Sequence, residues 1–308
     1  MLAIVAPGQG AQTPGFLNPW VESARVRDLL EWWSAVAQVD LIRLGTVADA
    51  DEIKDTANAQ PLIVAAGLVG ALSLFPHPSD AFNKVGVTAG HSVGELTAAA
   101  GARAITAESA MVLVRERGKE MAKASAITPT GMSAILGGER AAVLSAISTL
   151  GLTAANDNGA GQIVAAGLIS ELSLFADNPP AGARIRPLAV AGAFHTRYMQ
   201  SAQEVLAKSA ATISPSDPSG SIISNRDGFA VVDGEEVIER IISQVASPVR
   251  WDLCMKSLQE LGVTGVIELA PAGTLVGLLK RAAPEIESFA FKSPADLAAA
   301  SEFAEKHK

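Results

Sequence analysis

Cysteine, charge and aromatic side chains are all scarce in this chain of 308 residues, and the first two shortages disfavour whole classes of protein. The one cysteine, Cys254, has no partner for an intrachain disulfide, so a reducing compartment is expected. Only 18% of the residues are charged, and 32 acidic against 24 basic residues give a net charge of −8. A general nucleic-acid-binding surface needs an excess of basic residues, so this composition disfavours that function.

Neither an export signal nor a membrane-spanning run is recognisable in the sequence. The first residues, Met-Leu-Ala-Ile-Val-Ala-Pro, have no basic segment before the apolar ones, unlike a secretory signal. The longest strongly apolar run, Leu62 to Phe75, is shorter than the roughly 20 residues of a spanning helix and predicts a buried core helix. We therefore expect a cytoplasmic protein that binds neither membranes nor nucleic acids.

Apolar residues are abundant, at 49% of the chain, and suffice for a large core. Short apolar runs such as Leu2–Ala6 and Val85–Ala89 alternate with helical patterns over most of the length. Uninterrupted apolar strands suit a sheet that is covered on both faces. Their alternation with helices predicts an α/β fold with a mainly parallel sheet.

The middle of the chain follows another pattern. Two helical patterns there separate three strand candidates, Met132–Leu136, Gln162–Ala166 and Arg184–Val190. We predict that residues 125–190 form a small α+β subdomain, inserted into a catalytic core made of residues 1–124 and 191–308.

The strongest chemical signal is the segment Gly90-His91-Ser92-Val93-Gly94, which has the pattern Gly-x-Ser-x-Gly. In a nucleophile elbow of this kind the serine occupies a sharp turn between a strand and a helix, and the next N–H faces the developing oxyanion. A chance match in a chain rich in glycine and alanine is the alternative. The strand candidate before the motif and the helix candidate after it favour Ser92 as a nucleophile.

A serine hydroxyl needs a base, and four histidines are available to supply it. His307 lies in the terminal tail and His77 lies between two prolines. His91 is adjacent to Ser92, and neighbouring side chains in a turn point in different directions. His195, in a turn of small residues between a strand candidate and a helix candidate, is therefore the predicted base.

A third motif, Pro-Gly-Gln-Gly-Ala-Gln at residues 7–12, directly follows the first strand candidate. Thr13 stands where a dinucleotide-binding fingerprint has its third glycine, and a P-loop would end in Gly-Lys-Ser/Thr. Glycines at the carboxyl end of a strand still allow backbone N–H groups to approach a ligand. Alone, this motif is a weak signal.

Together these motifs resemble malonyl-CoA:acyl carrier protein transacylases over essentially the whole chain. Segments that match in order and spacing are 7–12, 90–95, Arg117-Gly118 with Met121, Asn158 with 162–167, 193–196, 247–251 and 271–273. The resemblance implies an α/β-hydrolase-like parallel-sheet core with an inserted ferredoxin-like small subdomain.

The same resemblance implies a transfer in two steps. Ser92 would attack the thioester of malonyl-CoA with His195 as general base, and the N–H groups of Gln9 and Val93 would form the oxyanion hole. The malonyl–serine ester would then pass its acyl group to the phosphopantetheine thiol of acyl carrier protein. The resemblance implies neither a cofactor nor a metal, and we expect a monomer.

Contacts with the substrate are also implied by the resemblance. Arg117 would hold the free malonyl carboxylate, which a planar guanidinium meets with two hydrogen bonds. Helical periodicity leaves Arg115 and Arg117 equivalent, and only the match to Arg-Gly-x-x-Met selects Arg117. Met121, Phe194 and Asn158 would contribute to substrate binding.

Two positions depart from the pattern of many relatives. Phe194 precedes the histidine where many bacterial members have serine, and its ring would crowd an α-methyl branch and disfavour a methylmalonyl group. Arg250 stands where glutamine is common, and the backbone carbonyl at this position is expected to orient His195. A backbone role would survive the change of side chain.

A serine esterase or thioesterase with water as acceptor is the alternative function, because hydrolases share the elbow. The arginine and the glycine-rich loop favour the transferase. An acidic carrier protein would require a local basic patch, and the candidates are Lys280, Arg281, Arg184, Arg186 and Arg197.

Overall fold

The computed structural model describes residues 1–77, 80, 81 and 83–308. Its strands are β1 (Leu2–Ala6), β2 (Val85–Gly90), β3 (Thr130–Gly137), β4 (Thr153–Asp157), β5 (Gln162–Leu168), β6 (Ala183–Pro187), β7 (Ser221–Ile223), β8 (Ala230–Val231), β9 (Val249–Arg250), β10 (Gly265–Glu268) and β11 (Glu287–Ala290).

The α-helices are α1 (Ala24–Ala37), α2 (Leu41–Thr46), α3 (Ala50–Lys54), α4 (Thr56–Leu74), α5 (Gly94–Gly101), α6 (Ala107–Ser125), α7 (Arg140–Thr149), α8 (Ile169–Asp177), α9 (Gln200–Ala210), α10 (Gly234–Gln244), α11 (Trp251–Glu260), α12 (Thr274–Ala282) and α13 (Leu297–His307). Short 3₁₀ helices cover Arg197–Met199 and Pro294–Asp296.

A six-stranded sheet in the order β11-β10-β1-β2-β7-β8 forms the centre of the core. All of its pairings are parallel except that of β7 with β8, which is antiparallel. The strands β1 and β10 are buried along their whole length, as expected for a sheet covered on both faces. The predicted α/β class is therefore confirmed.

Helix α4 supports this core from within. By its length and composition this helix is apolar enough to cross a membrane, yet 72% of its apolar 18-residue stretch is buried inside the protein. Gly67 allows a close approach to α5, because a Cβ at this position would lie 2.7 Å from the Thr97 Cγ2 atom. The sequence prediction of a buried core helix in this region is confirmed.

A second sheet, in the order β6-β3-β5-β4-β9, lies in the middle of the chain. Its first part has the succession β3-α7-β4-β5-α8-β6 with antiparallel pairings between neighbouring strands, which is the ferredoxin-like arrangement. The strand β9 lies outside residues 125–190 and pairs in parallel with β4, where Val249 is opposite Asn156. The proposed division of the chain at residues 125 and 190 stays a prediction.

Both glycines of the elbow are required by close packing at the end of the parallel strands. The end of β1 pairs with the end of β2, and Ala6 lies opposite Gly90. A Cβ at Gly94 would lie 2.3 Å from the carbonyl oxygen of Ala6, and one at Gly90 would lie 2.0 Å from the backbone of Gly94. The turn that carries Ser92 is therefore pressed against the carboxyl end of β1, which leads into the 7–12 loop.

Candidate active site

Ser92 lies in the turn between β2 and α5 with a φ of 54°, in the left-handed region. Such a conformation costs an L-residue about 1–2 kcal/mol, so the surroundings must hold it. The Ser92 N–H donates to the Asn225 Oδ1 atom at 2.8 Å, and the Ser92 carbonyl accepts from the Gln244 Nε2 atom at 3.0 Å. Two buried amides therefore fix the backbone of the turn on either side of the serine.

The hydroxyl of Ser92 meets an imidazole. The Ser92 Oγ atom is 2.7 Å from the His195 Nε2 atom, and the His195 Nδ1 atom is 2.8 Å from the carbonyl oxygen of Gln244. A carbonyl only accepts, so Nδ1 carries the proton and Nε2 is free to accept one from the serine. Burial, assisted by the charge of Arg117, lowers the pKa of His195 to about 3 and keeps the base neutral.

The residue that orients His195 is Gln244, which corrects the expectation for Arg250. The Arg250 N–H donates to the carbonyl of Asn225, and its guanidinium pairs with Asp252 at 2.8 Å. Gln244 ends α10, and the residue four positions later is Pro248, which has no N–H. The Gln244 carbonyl therefore has no i+4 helical donor, and it accepts from the Ser247 N–H at 3.2 Å and from the imidazole.

Arg117 lies beside the serine and is only 2% exposed. Its Nη1 atom donates to the Gln60 Oε1 atom at 2.6 Å, and its Nη2 atom donates to Gln244 Oε1 at 2.8 Å and to Ser92 Oγ at 3.2 Å. Burial lowers the pKa of Arg117 to about 10, which leaves the guanidinium charged at neutral pH. None of these three partners is an anion, so the guanidinium has no ion-pair partner in direct contact and a ligand carboxylate could supply one. The nearest acid, Glu95, acts on Arg117 from behind the Gln244 amide.

A cavity of about 270 Å³ connects these groups. The sequence-predicted site residues that line it are Gln9, Ser92, Val93, Arg117, Met121, Asn158, Phe194 and His195. The structure thus brings together every predicted residue except Arg250. The His91 Nε2 atom contacts Asn158 Oδ1 at 2.9 Å, so the histidine that was set aside as a base holds a pocket residue instead.

Four buried residues of the site were not singled out from the sequence, and they are Gln60, Glu95, Asn225 and Gln244. Gln60 offered a signal, since it is an amide next to the apolar run that forms α4. Glu95 also offered one, because it is an acid directly after the elbow. No local pattern marks Asn225 or Gln244, which reach Ser92 from distant parts of the chain.

Basic candidates for a docking surface are all exposed. Lys280 and Arg281 lie on α12, and the same helix lines the cavity through Leu275 and Leu278. Arg184 and Arg186 lie on the edge strand β6, just before Leu188, which also lines the cavity. Two pairs of cations therefore lie on elements that border the cavity. Among the described residues, no three His, Cys, Asp or Glu side chains converge as metal ligands would.

The chain is similar to known acyltransferases along nearly all of its length. The family model described as the acyl transferase domain matches residues 5–298. The malonyl CoA-acyl carrier protein transacylase of Mycobacterium tuberculosis (strain ATCC 25618 / H37Rv) is 50% identical over 297 residues, which is 96% of this chain and 98% of the relative. Its counterpart in Escherichia coli (strain K12) is 30% identical over 308 residues, at 97% and 98%.

Solved structures agree with the sequence matches. The crystal structure of MCAT from Mycobacterium tuberculosis superposes with a TM-score of 0.94 at 48% identity, covering 98% of this chain and 99% of that one. A type II PKS acyl-carrier protein in complex with its malonyl-transacylase (PlMCAT:AntF) gives a TM-score of 0.91 at 28% identity, with coverages of 98% and 99%.

Proposed function

The chain belongs to the acyl transferase family, and from this premise we propose that it moves the malonyl group of malonyl-CoA to the phosphopantetheine thiol of acyl carrier protein. One observation carries the proposal. A buried guanidinium, that of Arg117, donates to the same Ser92 oxygen that contacts the neutral His195. A nucleophile and a carboxylate-binding cation this close together suit a short acyl group that ends in a carboxylate.

In the first half-reaction, Ser92 Oγ attacks the thioester carbonyl while its proton moves to His195 Nε2. Gln9 and Val93 line the cavity beside the serine, where their N–H groups would stabilise the oxyanion. The carbon–sulfur bond then breaks, coenzyme A leaves with the proton from His195, and a malonyl–serine ester remains. The carbonyl of Gln244 stabilises the imidazolium that forms in between.

In the second half-reaction, the phosphopantetheine thiol of the carrier takes the place of coenzyme A. Its proton moves to His195, its sulfur attacks the ester carbonyl, and Ser92 recovers the proton as it leaves. The Ser92 ester formed in the first half is broken in the second, and coenzyme A leaves before the carrier thiol reacts, so the sequence is ping-pong. Both halves balance without a cofactor or metal. A neutral base is required at the start of both halves, which the low pKa of His195 provides.

Arg117 and Phe194 account for the choice of acyl group. Without an anion from the ligand, the buried charge of Arg117 contacts only neutral oxygens, so a malonyl group gains an ion pair that an acetyl group lacks. Phe194 is 6% exposed and lines the cavity next to His195, where its ring would crowd an α-methyl branch.

The acidic carrier would dock on the basic residues that border the cavity. Lys280 and Arg281 lie on α12, which lines the cavity through Leu275 and Leu278, and Arg184 and Arg186 lie on β6, which ends just before the lining residue Leu188. We place the reaction in the cytoplasm, where it supplies fatty acid synthesis, and we propose that the protein acts as a monomer.

The test separates transfer from hydrolysis, the alternative function. Protein is mixed with malonyl-CoA with and without carrier protein, and free malonate, carrier-bound malonyl and the intact mass of the enzyme are measured. We expect a malonyl adduct on Ser92 that disappears when carrier is added, no adduct on Ser92→Ala, and a normal adduct on Ser145→Ala, which removes an exposed serine of α7. Rapid release of malonate without carrier-bound product would instead identify a hydrolase.

A further inference from the structure

Glu95 is a buried carboxylate that the proposed mechanism does not use. It lies in the first turn of α5, three residues after Ser92, and is 3% exposed. Its Oε1 atom accepts from the Asn225 N–H at 2.6 Å, and its Oε2 atom accepts from the Gln244 Nε2 atom. Both carboxylate oxygens are therefore held by donors from other parts of the chain.

The two partners of Glu95 are the residues that position the catalytic groups. Asn225 accepts the N–H of Ser92, while the Gln244 side chain accepts from Arg117 and its backbone carbonyl accepts from His195. Each amide thus connects Glu95 to a group that acts on substrate.

The direction of the Gln244 amide depends on the charges at its two ends. An amide has nearly the same shape when its oxygen and nitrogen are exchanged, so hydrogen-bond partners decide its orientation. A guanidinium only donates and requires the oxygen, whereas a carboxylate only accepts and requires the nitrogen. Arg117 at one end and an ionised Glu95 at the other therefore favour the same orientation of Gln244. The Ser92 carbonyl and the Asn225 Oδ1 atom, which also accept from the Gln244 nitrogen, are neutral acceptors on the Glu95 side.

We propose that Glu95, as a carboxylate anion, is the positioning residue that sets the geometry of Ser92, His195 and Arg117 through the Gln244 and Asn225 amides. The effect on malonyl transfer rests on the proposed function, whereas the effect on the reactivity of Ser92 does not. Glu95 itself contacts neither the cavity nor the acyl group.

Three titratable groups act on Glu95 from the elements around it, namely Arg117 of α6, Arg240 of α10 and Cys254 of α11. The two arginines favour its anion, but burial outweighs them and raises the pKa of Glu95 to about 7. Burial also raises the pKa of the Cys254 thiol, which stays neutral. Between about pH 6 and 8, Glu95 changes charge while His195, Cys254 and Arg117 do not.

Replacement by glutamine tests the requirement for a carboxylate. The two donors that face Glu95 require an acceptor at each terminal atom, and a glutamine provides one acceptor and one donor. In Glu95→Gln, either Asn225 or Gln244 must move or turn, and the imidazole and guanidinium move with it. A misplacement of this kind costs about 10²-fold in rate. Glu95→Asp keeps the charge and both acceptors on a shorter stem.

The experiment measures kcat and KM for malonyl-CoA with saturating carrier between about pH 5 and 9. For the unchanged protein we expect kcat/KM to fall about tenfold per pH unit below a midpoint near 7, where Glu95 becomes protonated. In Glu95→Gln we expect this acid limb, the fall in kcat/KM below pH 7, to be absent. Its pH-independent rate should be about 10²-fold lower than that of the unchanged protein, with the loss mainly in kcat. Glu95→Asp keeps a limb with a shifted midpoint. The control Glu120→Gln, a partly buried acid on the helix of Arg117, keeps the original profile.

Inactivation by phenylmethanesulfonyl fluoride separates this proposal from the proposed function. Ser92 Oγ displaces fluoride from sulfur and its proton passes to His195, so the rate reports the dyad without any acyl donor. The same acid limb and the same loss in Glu95→Gln are expected even if malonyl-CoA is not a substrate. If Glu95→Gln does not fold, as judged by its thermal unfolding midpoint, Glu95→Asp decides the question through the midpoint of its limb. An unshifted limb in the variants, or a Glu95→Gln rate equal to the original, would overturn the proposal.

Discussion

Removing the guanidinium of Arg117 is the most informative perturbation of the pocket. In Arg117→Ala the positive charge disappears from a position where it is 2% exposed, and the Gln60 and Gln244 oxygens lose a shared donor. A malonyl carboxylate that enters this pocket would be desolvated without a counterion. An acetyl group brings no charge and does not suffer this loss.

The size of the effect follows from the burial of the charge. Leaving one member of a buried, hydrogen-bonded ion pair without its partner costs about 2–5 kcal/mol, or roughly 30- to 4,000-fold at 1.4 kcal/mol per factor of ten. The lower bound, about 30-fold, is the least effect expected here, because Arg117 is almost fully buried. Arg117→Lys keeps the positive charge but replaces the two terminal nitrogens of the guanidinium with a single ammonium group, so it should retain part of the selectivity for malonyl-CoA.

The assay compares kcat/KM for malonyl-CoA and acetyl-CoA in the unchanged protein and in both variants. We expect the malonyl value to fall by at least about 30-fold more than the acetyl value in Arg117→Ala. Arg115→Ala is the matched control, since this neighbouring arginine of α6 donates to the Ala57 carbonyl and does not line the cavity. Equal losses for the two thioesters would mean that Arg117 supports the fold and does not select the acyl group.

Four further predictions concern the base, the elbow and the acyl branch. His195→Ala should lower the transfer rate by about 10²–10⁴-fold in a steady-state assay, and near-normal turnover would point to another base. Because folding lowers the pKa of His195 to about 3, the stability that depends on its neutral form is present above about pH 6.5 and is lost as the pH falls towards 3. The free energy of unfolding from denaturant titrations should therefore change less between pH 6.5 and 3 in His195→Gln than in the unchanged protein. Gly94→Ala should have a much lower thermal unfolding midpoint, or yield no folded protein, because its Cβ would overlap the Ala6 oxygen. Gly101→Ala has open space around its Cβ and should keep the unfolding midpoint of the unchanged protein. Phe194→Ala should raise the turnover of methylmalonyl-CoA relative to malonyl-CoA, and an unchanged ratio would mean that the ring does not limit branching.

The parts of the fold and site that were predictable are those encoded in contiguous residues. The elbow reads directly from one pentapeptide, because its strand, its turn and its helix follow one another along the chain. Strand β4 was not predicted, since Thr-Ala-Ala-Asn-Asp has no apolar run and is held by its pairing with β5. The sheet imposes a conformation there that the local sequence does not demand.

The amide network behind the elbow was not predictable for a related reason. Asn225 and Gln244 lie more than a hundred residues from Ser92 in the chain, and buried amides have no periodic signature. The carbonyl that orients His195 was assigned to Arg250 by resemblance. A backbone carbonyl has no side chain that marks it, so no pattern in the sequence distinguished the carbonyl of Gln244 from that of Arg250.

The short connection between Gln244 and Val249 limits which insertions and deletions this enzyme can accept during evolution. One end of it carries the carbonyl that holds the imidazole, and the other end begins β9, which is fixed in register beside Asn156. An inserted residue would have to displace one of the two anchors. We therefore expect this stretch not to tolerate changes of length, whereas the exposed turn at 137–139 between β3 and α7 can accept extra residues.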